Sequence, residues 1–135
     1  MGWISSLWKR LKPSGELNEL SPESLRSLED LVSYRFQNTD LLVKALKHRS
    51  YVYARQGSGI ESNERLEFLG DAVLDLLVAE FLFLRFEDKR EGDLTQMKSL
   101  LVSRTVLARQ AHRLGLDAFV LLSAEERDAG GGKQP

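Results

Sequence analysis

Apolar residues recur at three- and four-residue intervals along most of the chain, the spacing that lines one face of an α-helix. Leu25, Leu28, Leu31 and Val32 mark an amphipathic helix that opens at Ser21-Pro22 and runs to about Tyr34. Serine there is a capping residue and proline suits the first helical position. Asn38-Thr39-Asp40 caps a second helix carrying Leu41, Leu42, Ala45 and Leu46. Tyr51 to Ser62, with Gly57-Ser58-Gly59 at its centre, reads as a loop. Asn63 caps a long helix, apolar over most of its length, that extends to about Phe86. A further helix is predicted from Asp93 to Leu114, ended by Gly115. Ser123 and Glu126 have capping-box spacing and open one short turn. No stretch alternates apolar and polar residues as a half-buried strand does, so the predicted fold is all-α.

Residues 1–20 read as an N-terminal extension and 21–135 as one domain, in keeping with the length. Within the extension, Trp3, Ile4, Leu7, Trp8 and Leu11 follow helical spacing beside Lys9, Arg10 and Lys12, until Pro13-Ser14-Gly15 ends the run. So short a segment suits a frayed or self-packed extension better than a membrane anchor. The absence of cysteine excludes disulfides and cysteine–zinc sites. No apolar run is long enough to span a bilayer and no secretory pattern opens the chain, so the expected location is cytoplasmic, with no membrane partner. The 19 basic and 20 acidic residues leave a net charge of −1, without the global basic footprint of many nucleic-acid binders. The charge is unevenly spread: nine basic and six acidic residues in 1–60, one and six in 61–80, seven and four in 81–114.

The acidic segment holds the candidate chemistry. At about 100° per helical residue, Glu64, Glu67 and Asp71 fall on one stripe of an otherwise apolar helix. Like charges at this spacing destabilise a helix, and oxygen-liganded divalent cations are natural neutralisers. The other reading is a solvated stripe, or acids paired with Arg65, Arg49 and Lys47. Gly70, costly inside a helix, implies close approach of a backbone or a ligand. Asp75 continues the stripe and suits helix pairing better than metal binding. Phe68, off the acidic stripe, reads as core, like most phenylalanines. His48-Arg49-Ser50 suits a cap and salt bridge holding the long helix, with phosphate contact as the alternative. Lys98, Arg109 and Arg113 are placed on one face of the Asp93–Leu114 helix, a solvated face or one that tracks a phosphate backbone.

The run NERLEFLGDAVL, Asn63 to Leu74, resembles the signature of the ribonuclease III family of double-stranded-RNA endonucleases. The similarity continues in LLVKALKHRSY (Leu41 to Tyr51) and EGDLTQMKSLLVSRTVLARQAHRLGL (Glu91 to Leu116), covering about Leu20 to Glu126. The resemblance implies a ribonuclease III-type helical endonuclease domain. Its substrate would be double-stranded RNA, including ribosomal and other precursors, and its cofactor Mg2+, with Mn2+ able to substitute. It makes Asp71 the catalytic aspartate and Glu67 a metal-binding glutamate, both metal ligands, and Glu64 and Glu91 further acids of the cleavage site. It also implies a homodimer in which Phe68 enters a pocket of the partner subunit.

The chain departs from the family pattern near its end. A late Asp-x-x-Glu helix should follow a glycine-rich turn, but Gly130-Gly131-Gly132 is followed only by Lys133-Gln134-Pro135. Asp117-Ala118-Phe119 leads to Val120 rather than glutamate, and Glu125 and Asp128 stand in reverse order, so no late acid is assigned. The expectation is a C-terminally incomplete domain, without the family's double-stranded-RNA-binding domain. The alternative function is a non-catalytic, dimerising or RNA-binding member of the same fold. Retention of four acids favours the nuclease, since a binder has no use for acids facing phosphates. An unrelated His-Asp phosphohydrolase is poorly served by two histidines, His48 and His112.

Overall fold

The computed structural model describes residues 20–130. These residues are helical, the single extended feature being an isolated parallel bridge between Lys47 and Leu121. The expected all-α class holds. The Met1–Leu20 extension, Leu20 apart, and Gly131-Gly132 lie outside the described residues. The chain divides into two compact units, Met1–Val43 and Lys44–Pro135.

In the first unit, α1 spans Pro22–Leu31 and buries Leu25 and Leu28. Ser21 caps it, accepting from Ser24 N at 3.1 Å. The helix stops three residues short of the expected Tyr34. Ser33 turns into the left-handed region (φ 53°), and Tyr34 N donates to Glu29 O at 3.0 Å, which closes the C-terminus as a Schellman-type turn. The buried Glu29 is satisfied by Phe36 N at 2.8 Å and Arg35 at 3.6 Å. Helix α2, Thr39–Leu46, starts where Asn38 Oδ1 accepts from Leu41 N at 3.2 Å; the division between the units falls within it.

The second unit departs from the sequence reading in two places. Part of the expected Tyr51–Ser62 loop is helix: α3 spans Arg49–Ala54, and a 3-10 turn follows at Gly59–Glu61. Helix α3 is stopped by Gln56, which turns into the left-handed region (φ 61°) so that Gly57 N donates to Val52 O at 2.9 Å. A Cβ on Gly57 would lie 2.8 Å from both Val52 Cγ1 and Glu61 Oε2, so the turn closes only on glycine. The predicted Asp93–Leu114 helix is two helices, α5 at Glu91–Leu101 and α6 at Arg104–Leu114. Ser103 breaks the run by capping α6, its Oγ accepting from Val106 N at 3.4 Å. Gly115, at φ 75°, ends α6 as expected.

Helix α4, Glu64–Arg85, is about 33 Å long. Its leucines, alanines and glutamates favour helix, and its first-turn acids and last-turn arginine suit the helix dipole. α5 packs against it. Leu82 is the one residue of α4 that is buried, at 1% exposure. A 3-10 turn at Leu116–Phe119 and a short α7 at Ala124–Asp128 follow, the latter capped by Ser123 Oγ accepting from Glu126 N at 3.1 Å. The short turn expected at Ser123 is present, but only the serine half of a capping box forms, because Ser123 N donates to Ser50 Oγ rather than to the Glu126 side chain. No helix of the described residues is long and apolar enough to cross a membrane.

Candidate active site

At about 1.5 Å per residue, Glu64, Glu67, Asp71 and Asp75 form a stripe about 16 Å long on α4. Cations neutralise its two ends. Glu64 Oε1 lies 3.8 Å from Arg49 Nη1, and its Oε2 lies 3.2 Å from the hydroxyl of the fully buried Ser62. Asp75 Oδ2 accepts from Lys98 Nζ at 2.9 Å, tying α4 to α5. Between them Glu67 and Asp71 are exposed, and neither carries an ion pair or side-chain hydrogen bond among the described residues. Of the three acids first read as one stripe, Glu64 is paired with a cation, while the exposure of Glu67 and Asp71 fits a solvated stripe as well as a metal pair. Asp75 has the helix-pairing role expected of it.

Glu91, the first residue of α5, stands apart. The five-residue connector between α4 and α5 is far too short to run back along a 33 Å helix, so the two are antiparallel. Lys98 lies opposite Asp75; Glu91 is therefore about 10 Å farther toward the C-terminus of α4, and Asp71 about 6 Å the other way. Glu91 and Asp71 are separated by about 16 Å along the axis. The Glu91 carboxylate instead accepts from Thr95 Oγ1 at 2.7 Å. Consistently, no three of His, Cys, Asp and Glu converge among the described residues. The donor set at the centre is two carboxylates one helical turn apart, without thiolate or imidazole. That suits a hard cation which keeps several of its waters.

The start of α4 is held by ties that sequence reasoning missed. Asn63 occupies the N-cap position but makes no side-chain cap. Its backbone N donates to Lys47 O at 2.8 Å and its Nδ2 to Ala45 O at 3.3 Å. Asparagine before a helix signals a cap, and nothing local announces a distant carbonyl instead. His48-Arg49-Ser50 has the structural role favoured for it. The His48 imidazole caps α3, Arg49 meets Glu64, and Ser50 Oγ accepts from Ser123 N at 3.1 Å. Lys98 does not share a helix with Arg109 and Arg113: it lies on α5 and pairs with Asp75, whereas they lie on α6.

Two further expectations concern the surface of α4. Phe68 is 82% exposed beside the acidic stripe, outside the core of its own chain. A Cβ on Gly70 would meet no atom within 4 Å, so no backbone among the described residues makes the close approach inferred for it. Opposite the acids, Leu69, Val73, Leu76, Leu77, Phe83 and Leu84 form an exposed apolar face.

A family model described as Ribonuclease-III-like matches residues 38–135. The protein named Ribonuclease 3 of Carboxydothermus hydrogenoformans is 44% identical over 115 residues, which cover 85% of this chain and 49% of the relative. That of Oleidesulfovibrio alaskensis is 52% identical over 104 residues, 77% of this chain and 45% of the relative. The chain spans about half the length of the curated relatives it matches. A solved nuclease domain of ribonuclease III from Campylobacter jejuni superposes with a TM-score of 0.74 at 41% identity, covering 82% of this chain and 73% of that one. Its description concerns flexibility in a region involved in dimer formation of that domain.

Proposed function

The chain belongs to the ribonuclease III family, and from that premise we propose that it is an endoribonuclease that cleaves double-stranded RNA by divalent-metal-assisted hydrolysis. The observation that carries this reading is the pair Glu67 and Asp71, exposed and unpaired between acids that cations already neutralise. Two like charges one helical turn apart repel, and a bound cation would offset that repulsion. Bound Mg2+ or Mn2+ would supply an activated water and would offset charge on the phosphoryl oxygens. Glu67 and Asp71 hold the ion from one side, Asp71 as the catalytic aspartate. Glu64 belongs to the same cleavage surface, its carboxylate oriented by Arg49 and Ser62. Glu91 is too far along the helix pair to share an ion with Asp71 of its own chain, and its place is against the duplex farther from the metal.

The functional unit is a homodimer with Phe68 at the interface, a reading supported by the exposure of Phe68 and by the uncovered apolar face of α4. The substrates are ribosomal and other precursor RNAs in the cytoplasm. Duplex RNA is recognised through shape, phosphates and 2′-hydroxyls rather than base edges, so the fold carries no code for particular transcripts.

The test is cleavage of long duplex RNA and of a single strand of equal length, with and without Mg2+. It uses the 135-residue chain and a form extended to the length of its relatives. Magnesium-dependent cleavage confined to the duplex and lost in Asp71→Asn, with circular dichroism unchanged, is the expected result. Cleavage that persists in Asp71→Asn of the extended form refutes the assignment. Binding of duplex without cleavage would favour the non-catalytic alternative.

A further inference from the structure

The first turn of α4, which carries Glu64 and Glu67, is held by residues 45–49 through the two Asn63 bonds, at 2.8 and 3.3 Å, and the Arg49–Glu64 pair at 3.8 Å. Those residues are in turn held by a segment more than 70 positions away. Leu121 N donates to Leu46 O at 2.8 Å, and His48 N donates to Leu121 O at 3.0 Å. The third tie is made by one side chain. Ser50 Oγ accepts from Ser123 N at 3.1 Å and lies 2.8 Å from His48 Nδ1, which also accepts from Ser50 N at 3.2 Å. Because Nδ1 accepts from that backbone N–H, the Ser50 hydroxyl donates to it while its lone pairs face Ser123. One hydroxyl therefore satisfies the N–H of the buried Ser123 and orients the ring that caps α3.

We propose that Ser50 is a positioning residue for the acidic stripe: its hydroxyl clasps Ser123 to His48 and thereby sets the first turn of α4, including Glu67. The inference rests on the metal-site reading only for its consequence at the ion; the clasp is a property of the fold. An alanine at this position removes both bonds at once and leaves the buried Ser123 N–H without its partner. Threonine keeps the hydroxyl.

The test uses the full 135-residue chain and three variants: Ser50→Ala, Ser50→Thr and Leu82→Ala. Leu82→Ala loosens the distant half of α4 without touching the clasp. Residue-resolved hydrogen exchange reads the Asn63 and Glu67 amides, bonded to Lys47 O and Asn63 O at 2.8 Å each, against the Phe86 amide at the other end of α4, bonded to Leu82 O at 3.0 Å. Ser50→Ala should speed exchange at Asn63 and Glu67 about tenfold or more while leaving Phe86 unchanged, and Ser50→Thr should restore it. Mn2+ titration of the same proteins should show weaker binding in Ser50→Ala than in the parent and Ser50→Thr. Leu82→Ala should lower the melting point without that loss. Unchanged exchange at Asn63 and Glu67 in Ser50→Ala overturns the proposal. So does faster exchange with Mn2+ affinity intact, which makes Ser50 a fold residue only. If the parent chain binds no Mn2+, the metal-site reading fails, and the exchange pattern still decides whether the clasp sets the turn.

Discussion

Replacing both Glu67 and Asp71 by alanine should abolish the thermal stabilisation that Mg2+ or Mn2+ confers, while changing the metal-free protein's stability little. The two carboxylates stand about 6 Å apart along the helix axis. Two unit charges at that distance repel by about 0.7 kcal/mol in bulk water and about 3 kcal/mol at an effective dielectric of 20. Both residues are exposed, so the lower figure applies. The repulsion removed and the helix formers gained are offset by the loss of Glu67 from the first turn, where it suits the helix dipole, so metal-free stability should change by under about 1 kcal/mol. The parent protein should gain about 2.7 kcal/mol from a metal present at a hundredfold excess over its dissociation constant. For a chain of this size that corresponds to a rise in midpoint of about 8–13 °C. Differential scanning calorimetry with and without 10 mM-scale Mg2+, roughly the range needed for weak oxygen sites, reads both effects. A double variant that still gains the parent's full metal shift would refute the reasoning.

Asp75→Asn removes an acid of the same stripe but one already paired with Lys98, so it should cost under about 1 kcal/mol in a thermal melt and leave the metal shift intact; loss of the shift would place the ion farther along α4. Phe68→Ala should convert a dimer to a monomer in sedimentation velocity and keep a cooperative melt, because the ring is 82% exposed in its own chain. Loss of cooperativity at unchanged mass would make it an ordinary core residue. Gly70→Ala meets open space and should stabilise the monomer by about 0.5–1 kcal/mol in urea unfolding. The same variant should weaken dimerisation or duplex binding if the glycine admits a partner or a ligand, and a drop in monomer stability would contradict the open geometry.

Much of this protein is local, and local features are legible in a sequence. Helix periodicity, the caps at Ser21, Asn38 and Ser123 and the left-handed stop at Gly115 depend on residues within a turn of one another. The acidic stripe follows from the angle between successive residues alone, and twelve consecutive residues sufficed to identify the family. Errors arose where two local signals competed. Gly57 and Gly59 outweighed the short helix before them, and apolar periodicity across Val102-Ser103 hid a serine cap.

What tertiary structure decided is which side chains find partners. Nothing in the spacing of Glu64, Glu67, Asp71 and Asp75 separates the acids that Arg49 and Lys98 neutralise from the two left unpaired. That distinction depends on where α3 and α5 return against α4. The same holds for Asn63, whose side chain reaches Ala45 instead of its own helix, and for Ser50, whose hydroxyl meets a backbone 73 residues away. The contrast between an exposed Phe68 and a buried Leu82 on the same helix is likewise a matter of packing, which their spacing does not reveal. A sequence states which groups need a partner, and only the fold brings distant segments close enough to supply one or to withhold it.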